Sequence, residues 1–304
     1  MRRQRRIAAA AAAALAALGV AAAVGALSGS GSGSADRASM PKPPELPRGG
    51  RRILPDRRVV AFYGAPQDER LGALGVGTPN QAARRLARQA RAYRSGRRPV
   101  LPAFELIAAI ADESPGDDGD YSTRLSSRTT QRYLNAARRH KMLLILDIQP
   151  GRAAFMKEVR AFEKLLREPD VSLALDPEWS MDPGQVPGQQ IGTTDAATVN
   201  DVSRYLSRIV RRHRLPQKML LVHRFTENMI EREEELERHP GVALTVNVDG
   251  FGNQPVKIAK YREFTRGRRG RFNGFKLFHT EDTDLMSPRQ VLRLRPRPDV
   301  VIYE

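Results

Sequence analysis

Cysteine is absent from the 304 residues, so the chain can form no disulfide, no thiolate-ligated zinc site and no lipid anchor on an N-terminal cysteine. That lack fits any compartment and decides none. Histidine occurs five times, with no His-Glu-x-x-His pair on a helical stretch and no His-x-His after the first strand-like run. Two common zinc arrangements are thereby missing. A glycine-rich phosphate turn is missing as well, because Tyr63-Gly-Ala-Pro66 follows that run without the needed glycine spacing. Acidic charge is scarce beside basic charge: Lys and Arg number 51, Asp and Glu 34, and the formal net charge is +17. Such an excess draws polyanions, or it coats solvated helix faces with arginine, as at Arg84, Arg85, Arg88 and Arg91. No helix-turn-helix or RNA-binding signature accompanies it, so no nucleic-acid partner is expected.

What is present begins with a leader. Met1-Arg-Arg-Gln-Arg-Arg6 is a positive n-region, and residues 7–27 form an uncharged run dominated by alanine. Residues 1–27 therefore read as a signal peptide or an uncleaved signal anchor, which would lie as a helix. The positive flank keeps the N-terminus cytoplasmic, so the bulk of the chain is expected to be exported. It would be secreted or held on the outer face of the cytoplasmic membrane, touching lipid only through this segment. Residues 28–57, first Ser/Gly-rich and then Pro-rich, read as a flexible-to-extended linker.

From residue 58 to 304, short apolar runs alternate with helical patterns. Strands are predicted at 59–63, 100–105, 142–149, 171–178, 219–225, 242–249, 274–279 and 299–303. Helices are predicted near 79–95, 129–140, 152–167, 195–214, 226–238, 254–265 and 288–294. Thr78-Pro79, Thr194-Asp195 and Ser287-Pro288 supply start signals for three of them. Eight strands and seven helices fit an α/β fold of the (β/α)8 TIM-barrel type with eight parallel strands. The final helix would be missing or replaced by residues 51–58. An open doubly wound sheet is the alternative.

The fourth run carries the strongest chemical signal. In Val171-Ser-Leu-Ala-Leu-Asp-Pro-Glu-Trp179, strand alternation would place Ser172, Ala174, Asp176 and Glu178 on one face. Small residues inward with acids at the C-terminal end suit a barrel strand, and that end is where barrel enzymes act. The other strand ends offer Tyr63, Glu105, Asp147, Gln149, His223, Phe225, Asn247, Asp249 and His279 as candidates for binding substrate. Each has a plainer reading. Glu105 could pair with Lys276, Asp147 and Asp249 could cap the helices after them, and His223 and His279 could be satisfied core histidines. Trp179 is either packing or a platform for a sugar ring.

Ala174-Leu-Asp-Pro-Glu-Trp179 resembles the strand-four acidic motif of secreted glycoside-hydrolase barrels. It is similar to the Asp-x-Glu of family 25 lysozymes and to the second half of the chitinase signature. The resemblance implies a hydrolase of cell-wall or environmental polysaccharide. Glu178 would be the general acid and Asp176 the charged residue beside the reacting centre. Spacing leaves open whether the reaction retains or inverts. No cofactor is expected, the partner would be a glycan, and the basic surface could hold an anionic cell-wall polymer. The chain departs from the chitinase pattern at Val171 and Ala174, and Phe62-Tyr63-Gly64 lacks the first-strand Asp of family 25.

Two other functions stay open. One is a non-catalytic carbohydrate-binding or envelope barrel. The other is a metal-dependent hydrolase of phosphodiesterase or deacetylase type, with Asp147, Asp176, Glu178, His223, Asp249 and His279 caging a divalent ion. The Pro-, Gly- and Gln-rich loop 180–192 would overhang the mouth as a lid or subsite wall. The acidic loop 112–120 reads as solvated surface.

Overall fold

The computed structural model describes residues 42–94, 98–267 and 270–304. The expected leader, 1–27, and the first part of the expected linker, 28–41, lie outside the described residues. Among the described residues no helix is long and apolar enough to cross a membrane.

The eight apolar runs become eight parallel strands. They are β1 (Arg58–Gly64), β2 (Val100–Ala111), β3 (Leu143–Ile148), β4 (Val171–Leu175), β5 (Lys218–Arg224), β6 (Val242–Val248), β7 (Phe272–Leu277) and β8 (Val300–Tyr303). Each pairs with its neighbour in chain order, and β1 pairs with both β2 and β8. The ladder has no free edge within this circuit, so the sheet is a closed TIM barrel and not an open doubly wound sheet. Around it lie α1 (Pro79–Arg91), α2 (Ser127–Arg139), α3 (Phe155–Ala161), α4 (Glu163–Leu166), α5 (Ala196–Arg212), α6 (Gln254–Thr265) and α7 (Pro288–Val291). Side-chain caps from Thr78, Ser126, Asp195 and Asn253 start the four longest helices, satisfying backbone donors that would otherwise be orphaned.

Alternation along the strands divides the core in two. Val60, Phe104, Leu144, Leu146, Leu173, Leu175, Leu220, Leu244 and Val301 point outward and pack under the helices. Val59, Ala61, Leu101, Ala103, Leu143, Ile145, Ala174, Met219, Leu221, Ala243, Val300 and Ile302 point inward and fill the barrel. The inward set is small or aliphatic toward the N-terminal end and gives way to polar side chains toward the other end. That gradient positions the site.

Several elements differ from expectation. Part of the expected linker belongs to the barrel: Leu46, Ile53 and Leu54 are buried in the inward cluster. Their segment is pinned by the Gln217 side chain, whose Oε1 accepts from the backbone N–H groups of Ile53 and Leu54 (2.7 and 2.9 Å). The expected helix at 226–238 does not form. Between Ile230 and Leu236 the chain offers only charged residues, so no apolar stripe exists at helical spacing. Instead Ile230–Glu231 pairs with Thr194–Asp195, Arg232 takes a left-handed backbone (φ 51°), and Glu233–Glu235 makes a single 3₁₀ turn. The expected helix 152–167 is split at Phe162 into α3 and α4. The strand expected over 171–178 stops at Leu175, because Pro177 brings no donor and opens a 3₁₀ turn, Pro177–Trp179. Finally, β2 runs past residue 105 to Ala111 and pairs antiparallel with Ser122–Arg124.

Candidate active site

At the C-terminal end of the barrel, every strand or the residue just after it contributes a polar side chain to one bowl. Strand parity puts Tyr63, Glu105, Asp147, Asp176, His223, Asn247, Lys276 and Glu304 there, with Gln149 and Asp249 one step above. Glu105, Asp147 and Asn247 are fully buried, and Asp176, His223, Asp249 and Lys276 nearly so. Buried charge at this density is tolerable only if the groups satisfy one another.

They do so along a chain of alternating sign. Glu105 Oε1 lies 3.0 Å from His223 Nε2, and His223 Nδ1 lies 2.8 Å from Asp249 Oδ2. Lys276 Nζ is 3.3 Å from the same Asp249 oxygen and 2.6 Å from Glu304 Oε2. Beside this row, the Tyr63 hydroxyl accepts from Gln149 Nε2 (3.0 Å) and lies 3.4 Å from both Asp147 Oδ2 and Asp176 Oδ2. The Lys276 ammonium also sits 3.8 Å over the Tyr63 ring. Gln149 Oε1 accepts from Ala111 N, fixing the amide that holds the phenol.

With Glu178 just above, six carboxyl groups face two cations, and their protonation separates accordingly. Burial, then the neighbouring Asp176 charge, pushes Asp147 well above the usual carboxylate range. Burial raises Asp176 too, against the pull of His223 and Lys276. Burial alone would raise Asp249, yet Lys276 and His223 hold it well below that range. Desolvation works against charge on His223 and Lys276, but the surrounding acids overcome it and raise both. Glu178 is pushed up to about 7 by burial and then by the charges of Asp176 and Asp249.

Above the bowl opens a cleft of about 210 Å³. Asp176, Glu178, Asp249, Lys276 and Glu304 reach its floor and walls, and Tyr63, Trp179, Phe225, Phe251 and Phe278 give it ring faces. Glu178 comes to it from the 3₁₀ turn after β4, not from the strand pleat as the alternation implied. That turn is braced by Gly192, whose N–H donates to the Glu178 carbonyl (2.7 Å). A Cβ on Gly192 would lie 2.2 Å from the Ser180 carbonyl oxygen, so the close approach needs glycine. The end of loop 180–192 is thereby tied to the acidic turn.

The other sequence candidates fall as follows. Trp179 and Phe225 line the cleft, partly exposed, and Lys260 lies 4.4 Å over the Phe225 ring. Asn247 is inside the bowl with Nδ2 3.4 Å from His223 Nδ1. His279 is not in the bowl. Its odd register places it on the outward face, stacked on Tyr303 (5.3 Å) and edge-on to Phe62 (6.4 Å). It lines a separate surface cleft of about 690 Å³ together with Arg70, Arg85 and Arg88. Glu105 pairs with His223 and not with Lys276. Asp147 and Asp249 cap no helix; Asn253 caps the helix after β6. The six-residue metal cage is not assembled. Among the described residues, only Glu105, Asp147 and His223 bring ligand atoms within 4.8 Å of one another.

Three members of the site were not among the sequence candidates, Lys276, Phe251 and Phe278, whereas Glu304 was already legible as the polar residue at the end of the last strand. Lys276 was readable, since it lies two residues beyond Gly274 on β7 and so faces inward. Glu304 follows the same logic on β8. The two phenylalanines sit on loops, where no periodicity marks them.

No family model matches the chain, and no curated protein matches it. Among solved structures, the chain is similar to dihydropteroate synthase of Burkholderia cenocepacia, determined in complex with 7,8-dihydropteroate. The likeness covers 82% of this chain and 86% of that one, at 12% identity and a TM-score of 0.35. The barrel assignment rests on the closed eight-strand ladder itself.

Proposed function

We propose that this protein is an exported glycoside hydrolase acting on a cell-wall or environmental polysaccharide. The observation that carries the reading is Glu178, a half-buried carboxyl on the wall of a ring-lined cleft, next to the buried Asp176. Glycoside cleavage needs one carboxyl that keeps its proton near neutral pH and another that stays charged. Burial and two nearby acids supply the first at Glu178. Burial raises Asp176 as well, but His223 and Lys276 work against that rise and the Tyr63 hydroxyl is within reach of its Oδ2, which favours Asp176 over Glu178 for the second.

In this scheme the sugar rings lie against Trp179, Phe225 and Phe251. Glu178 gives its proton to the leaving glycosidic oxygen. Asp176 stabilises the positive charge that builds at the anomeric carbon, and Gln149 holds the Tyr63 hydroxyl that orients it; a water then bonds to that carbon in place of the broken glycosidic bond and gives its proton to a carboxylate of the pair. Asp249 and Lys276, which line the cleft floor, are placed to bind sugar hydroxyls or N-acetyl groups. No cofactor takes part in these steps. The test is to incubate the protein with a panel of cell-wall and plant glycans and measure released oligosaccharides. Release should fall by about 10²–10⁴ in Glu178→Gln. Full activity in that variant on the best glycan would sink the assignment of Glu178, and binding without release by the wild type would make the barrel a glycan-binding module.

A further inference from the structure

Below the cleft floor, the two acids on either side of an imidazole nitrogen each keep one oxygen without a hydrogen-bond partner. Glu105 Oε2 and Asp147 Oδ1 are buried and have no hydrogen-bond partner among the described residues, on side chains with 0% exposure. Leaving a buried polar oxygen unsatisfied costs ~1–3 kcal/mol, and more where it is charged. Native interiors rarely keep two such atoms side by side without an ion or a water between them. Their neighbour is His223 Nε2, 3.0 Å from Glu105 Oε1 and 3.9 Å from Asp147 Oδ1.

The far side of His223 is fixed. Its Nδ1 lies 2.8 Å from Asp249 Oδ2, and Asp249 is itself held by Lys276 (3.3 Å) and by the Gly250 N–H (2.8 Å). Asp249 is therefore an anchored acceptor for the Nδ1 proton, which aims Nε2 at the two acids, where a metal ion would take the place of the Nε2 proton. A carboxylate behind a histidine in this manner is how proteins orient an imidazole toward a metal. The Asn247 amide, 3.4 Å from Nδ1, packs beside this contact. The remaining oxygen of Asp147 lies 3.4 Å from the Tyr63 hydroxyl, which leaves Oδ1 for the ion.

We infer that Glu105, Asp147 and His223 form a binding site for one divalent first-row metal ion beneath the cleft. Their ligand atoms lie within 4.8 Å of one another, and donors on a single ion at about 2.0–2.2 Å sit ~3–4 Å apart, so a small contraction closes the set. Two oxygens and an imidazole suit Zn²⁺, Mn²⁺ or Fe²⁺ and disfavour the all-oxygen ions. A proton on Nε2 alone would serve Glu105 Oε1 and leave Asp147 Oδ1 and Glu105 Oε2 as they are. A dication answers all three atoms at once and lowers the acid excess of the bowl. The inference is independent of the glycoside reading. Its ion is out of the aromatic cleft, where Asp176 and Glu178 lie.

The experiment uses the full chain, stripped with chelator and titrated with Zn²⁺ and with Mn²⁺ by calorimetry, with elemental analysis of the dialysed protein. One ion per chain should bind, and the unfolding midpoint should rise with it. Substituting a ligand, Asp147→Asn or Glu105→Gln, should weaken binding by at least about tenfold, and Asp249→Asn by about 10–100-fold as a positioning residue. His279→Ala, on the other face, should bind as the wild type does. Titration of the wild-type chain needs no variant to fold, and Co²⁺ substituted for the ion should give an absorption band that reports nitrogen ligation. Failure of the wild type to bind Zn²⁺ or Mn²⁺ stoichiometrically overturns the inference. So does unchanged affinity in Asp147→Asn, or loss of binding in His279→Ala.

Discussion

At the residue scale, the site turns on how one carboxyl keeps its proton. Glu178 is pushed up to about 7, first by burial and then by Asp176 and Asp249, while Lys276 and His223 pull it back. A group with that value is protonated below pH 7 and loses its proton above it. An acid-catalysed step that depends on it is therefore full on the acidic side and declines as pH rises through about 7. The expected outcome is a falling limb in the pH dependence of oligosaccharide release centred near 7, absent from the residual rate of Glu178→Gln. A rate that climbs through pH 7 to 9 would contradict it. The residues of the bowl were legible from parity alone, since Ala103 predicts Glu105 inward and Leu221 predicts His223 inward. His279 was chosen for its residue type. Its register, two past the outward Leu277, already placed it on the other face. The Glu178 geometry was not legible, because it depends on Pro177 ending the strand early.

At the element scale, the barrel is held open at its mouth by glycine and closed at its base by chain that looked like linker. Gly274 on β7 has no unusual backbone angle; what it needs is room, because a Cβ there would lie 2.3 Å from Asn247 Oδ1. Gly274→Ala must push Asn247 against His223, so we expect a destabilisation of roughly 1–3 kcal/mol, read as a lower unfolding midpoint. An unchanged midpoint would show that β6 and β7 separate without strain. At the base, Leu54 is almost fully buried among Val59, Leu101 and Met219. Leu54→Ala should cost about 2–5 kcal/mol in denaturant unfolding, as a core leucine does and a linker leucine does not. The alternating strands were legible because their inward and outward sets differ in size and polarity. Residues 42–57 were not, because three buried apolar side chains among Pro, Arg and Gly carry no period. The run of acids in 231–235 was misleading for the opposite reason: good helix formers without an apolar face do not make a packed helix.

At the scale of the whole molecule, charge is sorted by depth. The bowl and the cleft wall above it hold six acids against two cations, while the chain as a whole carries +17. Among the described residues, much of that basic charge is on the outside: Arg84, Arg88 and Arg91 on α1, Arg132, Arg138 and Arg139 on α2, and Arg208, Arg211 and Arg212 on α5 are exposed. Few of them are paired; Arg138, with Glu168 and Asp170, is one that is. Under the proposed function, a basic exterior would concentrate anionic polymer near the protein and an acidic bowl would keep anionic groups away from the cleft. The two effects separate with salt. Exposed charges are screened beyond a Debye length of about 8–10 Å at 0.1–0.15 M salt, whereas buried groups are screened far less. Co-sedimentation with an anionic glycan such as polygalacturonate should therefore be strong at low salt and fall steeply as salt is raised. A neutral glycan of equal length should show no such loss. Glu178→Gln should sediment with the anionic polymer as the wild type does, since retention depends on the helix faces and release on the cleft. If retention of neutral and anionic glycans is equal at every salt concentration, the arginine surface is a solvated coat with no polymer to hold.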